Sequence, residues 1–448
     1  AMRRFWSDRK GNVAILFALA MIPVMGAMGV AVDYSFANAL RTNMQKSLDS
    51  AGLALSKMMP LTQDQLNTLG NQFFLANFGT PPSFLTLATQ PVTITPSTGR
   101  LDLSVTGTYK PELAGILRIF GGGDPNFPIG TTTQVVWGLG KVEVVLALDN
   151  TGSMSSNNKL TELKKAAHKL IEILKNAASN PGDAKVAIVP FGVHVKLDSA
   201  TYMNSNLLRW DTNVGECSRS QYLTKTSCQS NGWTWTSATT SNWTGCIADR
   251  DKDTNLNYDV NDTTPNATTD NTKFPRTVGC GSLATVMPLN YNWGTNSNGN
   301  SDQTTLHGKI NAMQAVGNTN VTIGLAWAWH MLSSTQMFTE GAVYGTADLQ
   351  KYIILLTDGN NTENRFSQTE SSINARTSAA CDNIKALKDA NGKPYIKIYT
   401  IRVINGNAAL LQGCATDLSM YYDVQNADQL TIVFNAIGSQ IANLHLSK

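Results

Sequence analysis

Apolar positions along the chain follow three patterns, and each predicts a different kind of element. Residues 13–32 form an uncharged run of 20 residues, and a helix needs about 20 apolar residues to span a bilayer. Past this run, Ala37, Leu40, Met44, Leu48, Ala51 and Leu55 recur at spacings of three and four, the stripe of an amphipathic helix. Residues 34–58 contain one Gly and no Pro, so the spacing predicts one helix continuing out of the apolar run. Residues 80–140 turn to alternating, β-branched segments at 91–95, 101–108 and 131–137, which predict the strands of a small sheet. Between them, residues 111–121 read as a short helix or apolar loop; Phe120 there is open to a core, lipid or partner role, and the core role is favoured.

From Glu143 onward the apolar runs become short and solid. Residues 144–148 and 185–191 read as buried strands flanking an amphipathic helix at 159–176. The alternation resumes with a helix at 323–332, a strand at 352–357, a helix near 370–390, a strand at 396–403 and a last helix at 427–444. Strands and helices alternating at these lengths imply an α/β domain with a mostly parallel sheet covered by helices on both faces. Residues 203–305 interrupt it. They hold five of the nine Trp and four of the six Cys among many Asn, Thr and Ser, so disulfides and stacked Trp are expected to hold this insertion together. Trp233, Trp235 and Trp243 fit a Trp-rich mini-core, with a sugar-stacking platform as the alternative. The expected division is 1–58 for a basic stub, the span and its helical extension; 59–140 for a small β-rich module; 141–202 with 306–448 for the α/β domain; and 203–305 for the insertion.

Composition and charge narrow the function. A chain of 448 residues, 42% hydrophobic, has room for two or three domains. The formal net charge of +3 is spread without a long basic block, which argues against a nucleic-acid partner. Arg3, Arg4, Arg9 and Lys10 precede the apolar run and Asp33 follows it, which places the N-terminus in the cytoplasm and the bulk of the chain across the membrane. A cleaved signal peptide is the competing reading; the length of the run and the helical extension count against it. All six cysteines lie beyond residue 200 and none form a CxxC pair, which suits disulfides in an oxidising compartment. Cys381 is favoured as the partner of Cys414, with Cys217, Cys228, Cys246 and Cys280 paired among themselves.

Candidate chemistry gathers at strand ends. Asp149, Thr151 and Ser153 follow the first strand, Thr319 lies on a loop ahead of a helix, and Asp358 ends a second strand. Oxygen-only ligands suit a hard divalent cation, Mg²⁺ first and Mn²⁺ or Ca²⁺ as alternatives, and strand ends are where an open α/β sheet exposes its crevice. Two carboxylates balance such an ion without overcompensating it, so it can still accept an acidic group from a partner. The competing reading makes Asp149 and Thr151 caps of the helix starting near Lys159; three motifs falling in order at such positions disfavour it. Residues 249–259, with Asp249, Asp251, Asp253 and Asp259, also alternate oxygen-bearing side chains and offer a second, Ca²⁺ site. They lack the Gly and the bidentate Glu of an EF-hand loop, so a solvated acidic turn is the default. His168, His194, His307, His330 and His445 are scattered, no candidate base stands out, and an enzyme is not expected.

The pattern Asp149, Thr151, Ser153, then Thr319, then Asp358 resembles the metal-ion-dependent adhesion site (MIDAS) of von Willebrand factor A (vWA) domains, D-x-S-x-S followed by a distant Thr and Asp. Thr151 replaces the first Ser and keeps its hydroxyl. The resemblance implies a Rossmann-like vWA fold, direct ligation by Thr151, Ser153 and Thr319, and mostly water-mediated ligation by Asp149 and Asp358. Residues 9–19 (RKGNVAILFAL), Pro23 and residues 29–33 (GVAVD) with the helix after them resemble the N-terminal module of Tad (Flp) pilus assembly proteins of the TadE/TadG-like group. A vWA domain further along points to TadG. The Glu that prepilins carry soon after a processing Gly is missing after Gly11, although a membrane helix leading into a small sheet is pilin-like in outline. The resemblance implies an inner-membrane-anchored, periplasm-facing component that holds Tad machinery or pilus proteins through a metal bridge to an acidic side chain. The alternatives are a surface or pilus-associated adhesin using the same bridge, and a regulatory subunit of a metal-dependent enzyme machine. Homo-oligomerisation is left open.

Overall fold

A computed structural model describes residues 12–58, 61–97, 100–111, 126–136, 141–252 and 257–443. The basic residues Arg3, Arg4, Arg9 and Lys10, Gly11, Phe120 with most of its segment, Asp253 and His445 lie outside the described residues. Two compact units divide the chain, the first ending at Gly138 and the second beginning at Leu139.

The first unit is built on one 45-residue helix, α1 (Asn12–Ser56). Its early apolar side chains are uncovered, with Leu16, Phe17, Met25 and Met28 each more than 60% exposed, and the helix is long and apolar enough to cross a membrane. Further along, the stripe of Ala37, Met44, Leu48, Ala51 and Leu55 is buried against α2 (Gln63–Phe78) and an antiparallel sheet of β1 (Leu85–Ser97), β2 (Arg100–Tyr109) and β3 (Phe127–Val136). Leu101, Leu103 and Val105 alternate inward along β2, the period-two pattern of a half-buried strand. Helix α2 is absent from the sequence reading. Its signals are a Thr62–Gln65 capping box and the inward Leu66, Gly70 and Phe74 at spacings of four.

In the second unit, six strands among the described residues form one sheet. They are β4 (Lys141–Asp149), β5 (Ala184–Phe191), β6 (Met287–Asn290), β7 (Leu349–Thr357), β8 (Ile396–Val403) and β9 (Tyr421–Val424), in the spatial order β6-β5-β4-β7-β8-β9. All neighbours run parallel except β6, which is antiparallel to β5. Both faces are apolar, as a parallel sheet between helix layers requires. Val144, Leu146, Ile354 and Ile401 face α3 (Lys159–Ala177) and the last helix, Leu430–Asn443. Val145, Ala147, Leu355 and Ile398 pack with α5 (Val321–Leu332) and α6 (Glu370–Ala386). A shorter α4 (Leu306–Asn311) precedes α5. This is an α/β, Rossmann-like architecture. Strand order reverses between β5 and β7 on either side of β4, so the crevice for a ligand lies at the carboxyl ends of β4 and β7.

The region read as an insertion departs from expectation in two ways. Residues 287–290 belong to the sheet as its antiparallel edge. The rest does not make a core of its own: Leu208, Trp243, Ile247, Val260 and Phe274 join the same cluster as Val189, Leu325 and Trp327. The reason is α5, whose twelve residues are all buried. A helix apolar all round must be covered on its outer side as well, and the inserted lobe covers it. The Trp residues do not stack on one another. Trp210 and Trp243 meet edge-on at 6.0 Å, and the buried Arg276 guanidinium lies over both rings at 4.2 and 5.0 Å. Trp243 is only 4% exposed, so a sugar platform using Trp233, Trp235 and Trp243 together is overturned. Disulfides join Cys217 to Cys228 and Cys246 to Cys280 within the lobe, and Cys381 on α6 to Cys414 on the following helix, Ala408–Cys414.

Candidate metal site

The parallel register of β4 and β7, with Leu148 opposite Leu356, carries both strands out of the sheet side by side. Asp149 and Asp358 therefore emerge together, each about 1% exposed or less. Asp149 is held at both oxygens: the Thr151 amide donates to Oδ1 at 2.8 Å and the Thr357 hydroxyl to Oδ2 at 2.6 Å. It does not cap α3, whose Asn158 cap residue makes no side-chain bond. The chain then turns through a short 3-10 segment, Gly152–Ser155, placing Thr151 Oγ1 3.0 Å from Ser153 Oγ, which donates to Asp358 Oδ1 at 2.6 Å.

Thr319 arrives from the loop ahead of α5. The Gly152 amide donates to Gly317 O at 2.9 Å, and the Val316 amide donates to Asn150 O at 2.7 Å. The Thr319 amide donates to the Thr362 hydroxyl at 2.8 Å. A Cβ at Gly359 would sit 3.4 Å from Thr319 Oγ1 and 3.5 Å from Ser153 Oγ, so glycine there keeps a gap open between the two hydroxyls. The structure thus brings together all five residues singled out from the sequence. Thr357 and Thr362, which orient them, were missed.

Lys159 was also missed. Its ammonium lies 2.7 Å from Asp358 Oδ2, with both side chains buried. The signal was a cation in the first turn of α3, where the helix dipole disfavours it. Lys159 revises the charge count: the pair of carboxylates already has one resident cation, so a divalent ion would meet less negative charge than two aspartates supply. Burial first, and the charge of Asp358 second, push the Asp149 carboxyl up to about 6, the behaviour of a desolvated acid without its full counter-charge. The donor set is all oxygen, converges from three loops and leaves Ser153 exposed, which fits a hard divalent cation. Thr151, Ser153 and Thr319 would supply hydroxyls, and Asp149 and Asp358 the charge.

The second cation candidate is overturned. Asp251 pairs with Arg209 and Arg365, each at 2.7 Å, and Asp259 pairs with Arg376. Asp249 accepts from Asn320 Nδ2 at 3.0 Å and from the Arg365 backbone N–H at 3.2 Å. Arginines thus already pair with Asp251 and Asp259, and Asp249 is taken up by N–H donors, so these three carboxylates are engaged by protein partners. No group of three or more His, Cys, Asp or Glu side chains among the described residues is placed to share a metal ion, so a metal site here depends on hydroxyls. The histidines are less scattered than the sequence suggested: His168 Nδ1 lies 2.6 Å from His307 Nδ1, and His307 Nε2 lies 2.8 Å from Glu172.

A family model described as Flp pilus-assembly TadE/G-like matches residues 11–55. No curated protein matches the chain. Among solved structures, the chain is similar to the vWF domain of the type V pili tip protein Mfa5 from Porphyromonas gingivalis, at 12% identity and a TM-score of 0.36 over 69% of this chain and 97% of that one. It is similar to the pilus adhesin SpaC from Lactobacillus rhamnosus GG, at 12% identity and a TM-score of 0.35 over 79% of this chain and 34% of that one. A third is proximal thread matrix protein 1 from the mussel byssus with a zinc occupied MIDAS motif, at 13% identity and a TM-score of 0.31 over 68% of this chain and 46% of that one. The chain thus spans less than half the length of the mussel protein and about a third of SpaC.

Proposed function

We propose that this chain is a membrane-anchored component of Tad/Flp pilus assembly that binds a partner protein through a divalent cation, Mg²⁺ by the hardness of its ligands, at Asp149, Thr151, Ser153, Thr319 and Asp358. The match at residues 11–55 and the uncovered apolar half of α1 support the pilus context and the anchor. The basic stub ahead of the span supports a cytoplasmic N-terminus, and the three disulfides support a periplasmic second unit. The observation that carries the binding role is the bond from Ser153 to Asp358, which closes the ends of two parallel strands into one oxygen-lined site beneath an exposed hydroxyl. When bound, the cation supplies an electrophilic point for a carboxylate oxygen. The chain's own groups orient it: Thr357 and the Thr151 amide fix Asp149, and Thr362 fixes the Thr319 loop. The site is read as a binding device and not as an enzyme.

The test is a crosslinking pull-down from native envelopes with the full-length wild type and Asp149→Ala, each with and without EDTA. Partners captured by the wild type and lost under both treatments are expected. Partners that persist throughout would overturn the metal bridge and move the contact to α1 or the inserted lobe.

A further inference from the structure

Beside the metal site, the second unit carries an open-mouthed cavity of about 400 Å³, within the roughly 300–1,000 Å³ range of ligand pockets. One wall is the loop ahead of α5 and the segment after β7: Gly317 lies two residues before Thr319, and Glu363, which holds none of the candidate ligands by its side chain, accepts from the Asn318 side-chain amide at 2.7 Å. The opposite wall is the inserted lobe, with Glu216, Tyr222 and Trp235. The lobe's fold places Glu216 tightly. Its carboxylate lies over Gly279, where φ is +88° and a Cβ would overlap it.

The charges in this cavity do not cancel. Arg365 reaches it, but its Nη1 is taken by Asp251 at 2.7 Å and Asp249 O at 3.0 Å. His194 lines it half-buried, and desolvation pushes its imidazole down to about 4, so it is neutral at pH 7. Glu363 accepts only from the amides of Asn318 and Gln368, and neither Glu216 nor Glu363 forms an ion pair among the described residues. Glu216 is exposed at the cavity's rim; desolvation first, and the charge of Glu363 second, raise its carboxyl. An anionic, aromatic-walled cavity therefore adjoins a site that takes an anion through a cation.

We infer that this cavity is a subsite for a lysine or arginine side chain of the partner protein, next along the partner's chain to the carboxylate held at the metal. Glu216 and Glu363 pair with the cationic head, and Tyr222 and Trp235 pack along its aliphatic stem. Two opposite charges read side by side fix the direction of the bound chain and reject segments with only an acid. The inference rests on the metal-bridged reading above.

The test is selection of displayed random peptides on the full chain in detergent with Mg²⁺, eluted with EDTA, using wild type, Asp149→Ala and a Glu216→Gln, Glu363→Gln double variant. Wild type is expected to enrich peptides with an acidic residue and a Lys or Arg within a few positions, and the double variant to keep the acid and lose the base. Replacing that Lys by Met in a selected peptide is expected to weaken binding on the order of 10-fold to wild type and not at all to the double variant. If the double variant does not fold, the Lys-to-Met peptide on wild type decides alone. Acid enriched without base overturns the subsite and leaves the metal bridge standing. Failure to obtain any EDTA-released peptide overturns the bridge itself. Preferential binding to a glycan array, lost in the double variant, also overturns the subsite.

Discussion

Residues 149–153 and residues 249–259 are both short stretches that alternate oxygen-bearing side chains, and the fold treats them in opposite ways. At the end of β4, Asp149 is held by an amide and a hydroxyl, and Ser153 remains open to solvent. One cation, Lys159, reaches this group. In the inserted lobe, Asp251 and Asp259 are met by Arg209, Arg365 and Arg376. The difference comes from placement. Strand ends at a topological switch point splay open, whereas the lobe's run lies within reach of arginines from its own lobe, from the loop after β7 and from α6. The second run also serves the first. Asp249 binds Asn320, the residue after Thr319, whose side chain also accepts from Ile323 N to cap α5.

The sharpest way to break this comparison is to free one of the clamped acids. Asp259 is 1% exposed beside Arg376, and removing one partner of a buried pair costs about 3–5 kcal/mol. Arg376→Met is expected to lower the stability of the second unit by about 3 kcal/mol in chemical denaturation, with no recovery on adding Ca²⁺. A loss under about 1 kcal/mol, or a Ca²⁺-dependent gain in melting temperature for the wild type that Asp259→Asn removes, would return the run to the calcium reading.

The α/β fold was legible because solid apolar runs at 144–148, 185–191, 352–357 and 396–403 have few other uses between amphipathic helices. The candidate site was legible as a set of donors, since Asp149, Thr151, Ser153, Thr319 and Asp358 all sit where strands end or a helix begins. Its cations were not. Lys159 reads as one more charged residue on an amphipathic helix, and nothing local ties Arg365 or Arg376 to acids more than a hundred positions earlier. The lobe was misread for a related reason: α5 is apolar on every side, which says that it must be covered without saying by what.

Asp262, three residues past the clamped run, sharpens the comparison with a smaller effect. It accepts from Tyr344 at 3.1 Å but forms no ion pair among the described residues, and burial pushes its carboxyl up to about 6 despite that bond and the charge of Arg250. A carboxyl raised in the folded state binds its proton more tightly than in the unfolded chain. Its contribution to stability is therefore full below about pH 4 and is lost as pH rises through about 6. Asp262→Asn is expected to remove up to roughly 3 kcal/mol from the gain in stability that the wild type shows between pH 7 and pH 4. Denaturant midpoints across that window check it. Identical pH profiles for the two proteins would mean that Asp262 is as well compensated as Asp251.

Lys159 carries the smallest expected change and the most direct one on the candidate site. Its ammonium is in contact with Asp358, so any divalent ion must share that carboxylate with a fixed positive charge. Lys159→Met takes the charge away and leaves a nonpolar stem of similar length. Affinity for Mg²⁺ or Mn²⁺ is expected to rise about 10-fold, or roughly 1.4 kcal/mol, by titration calorimetry on the full chain. The metal-free protein should melt earlier, because Asp358 is then buried without its partner, and added metal should restore more than the lost stability. Lys159→Arg, which keeps the charge, should stay near the wild-type affinity. Should Lys159→Met bind metal no better than wild type, the ammonium and the ion do not compete for Asp358, and Lys159 is a strut for the start of α3 and not the resident cation of the site.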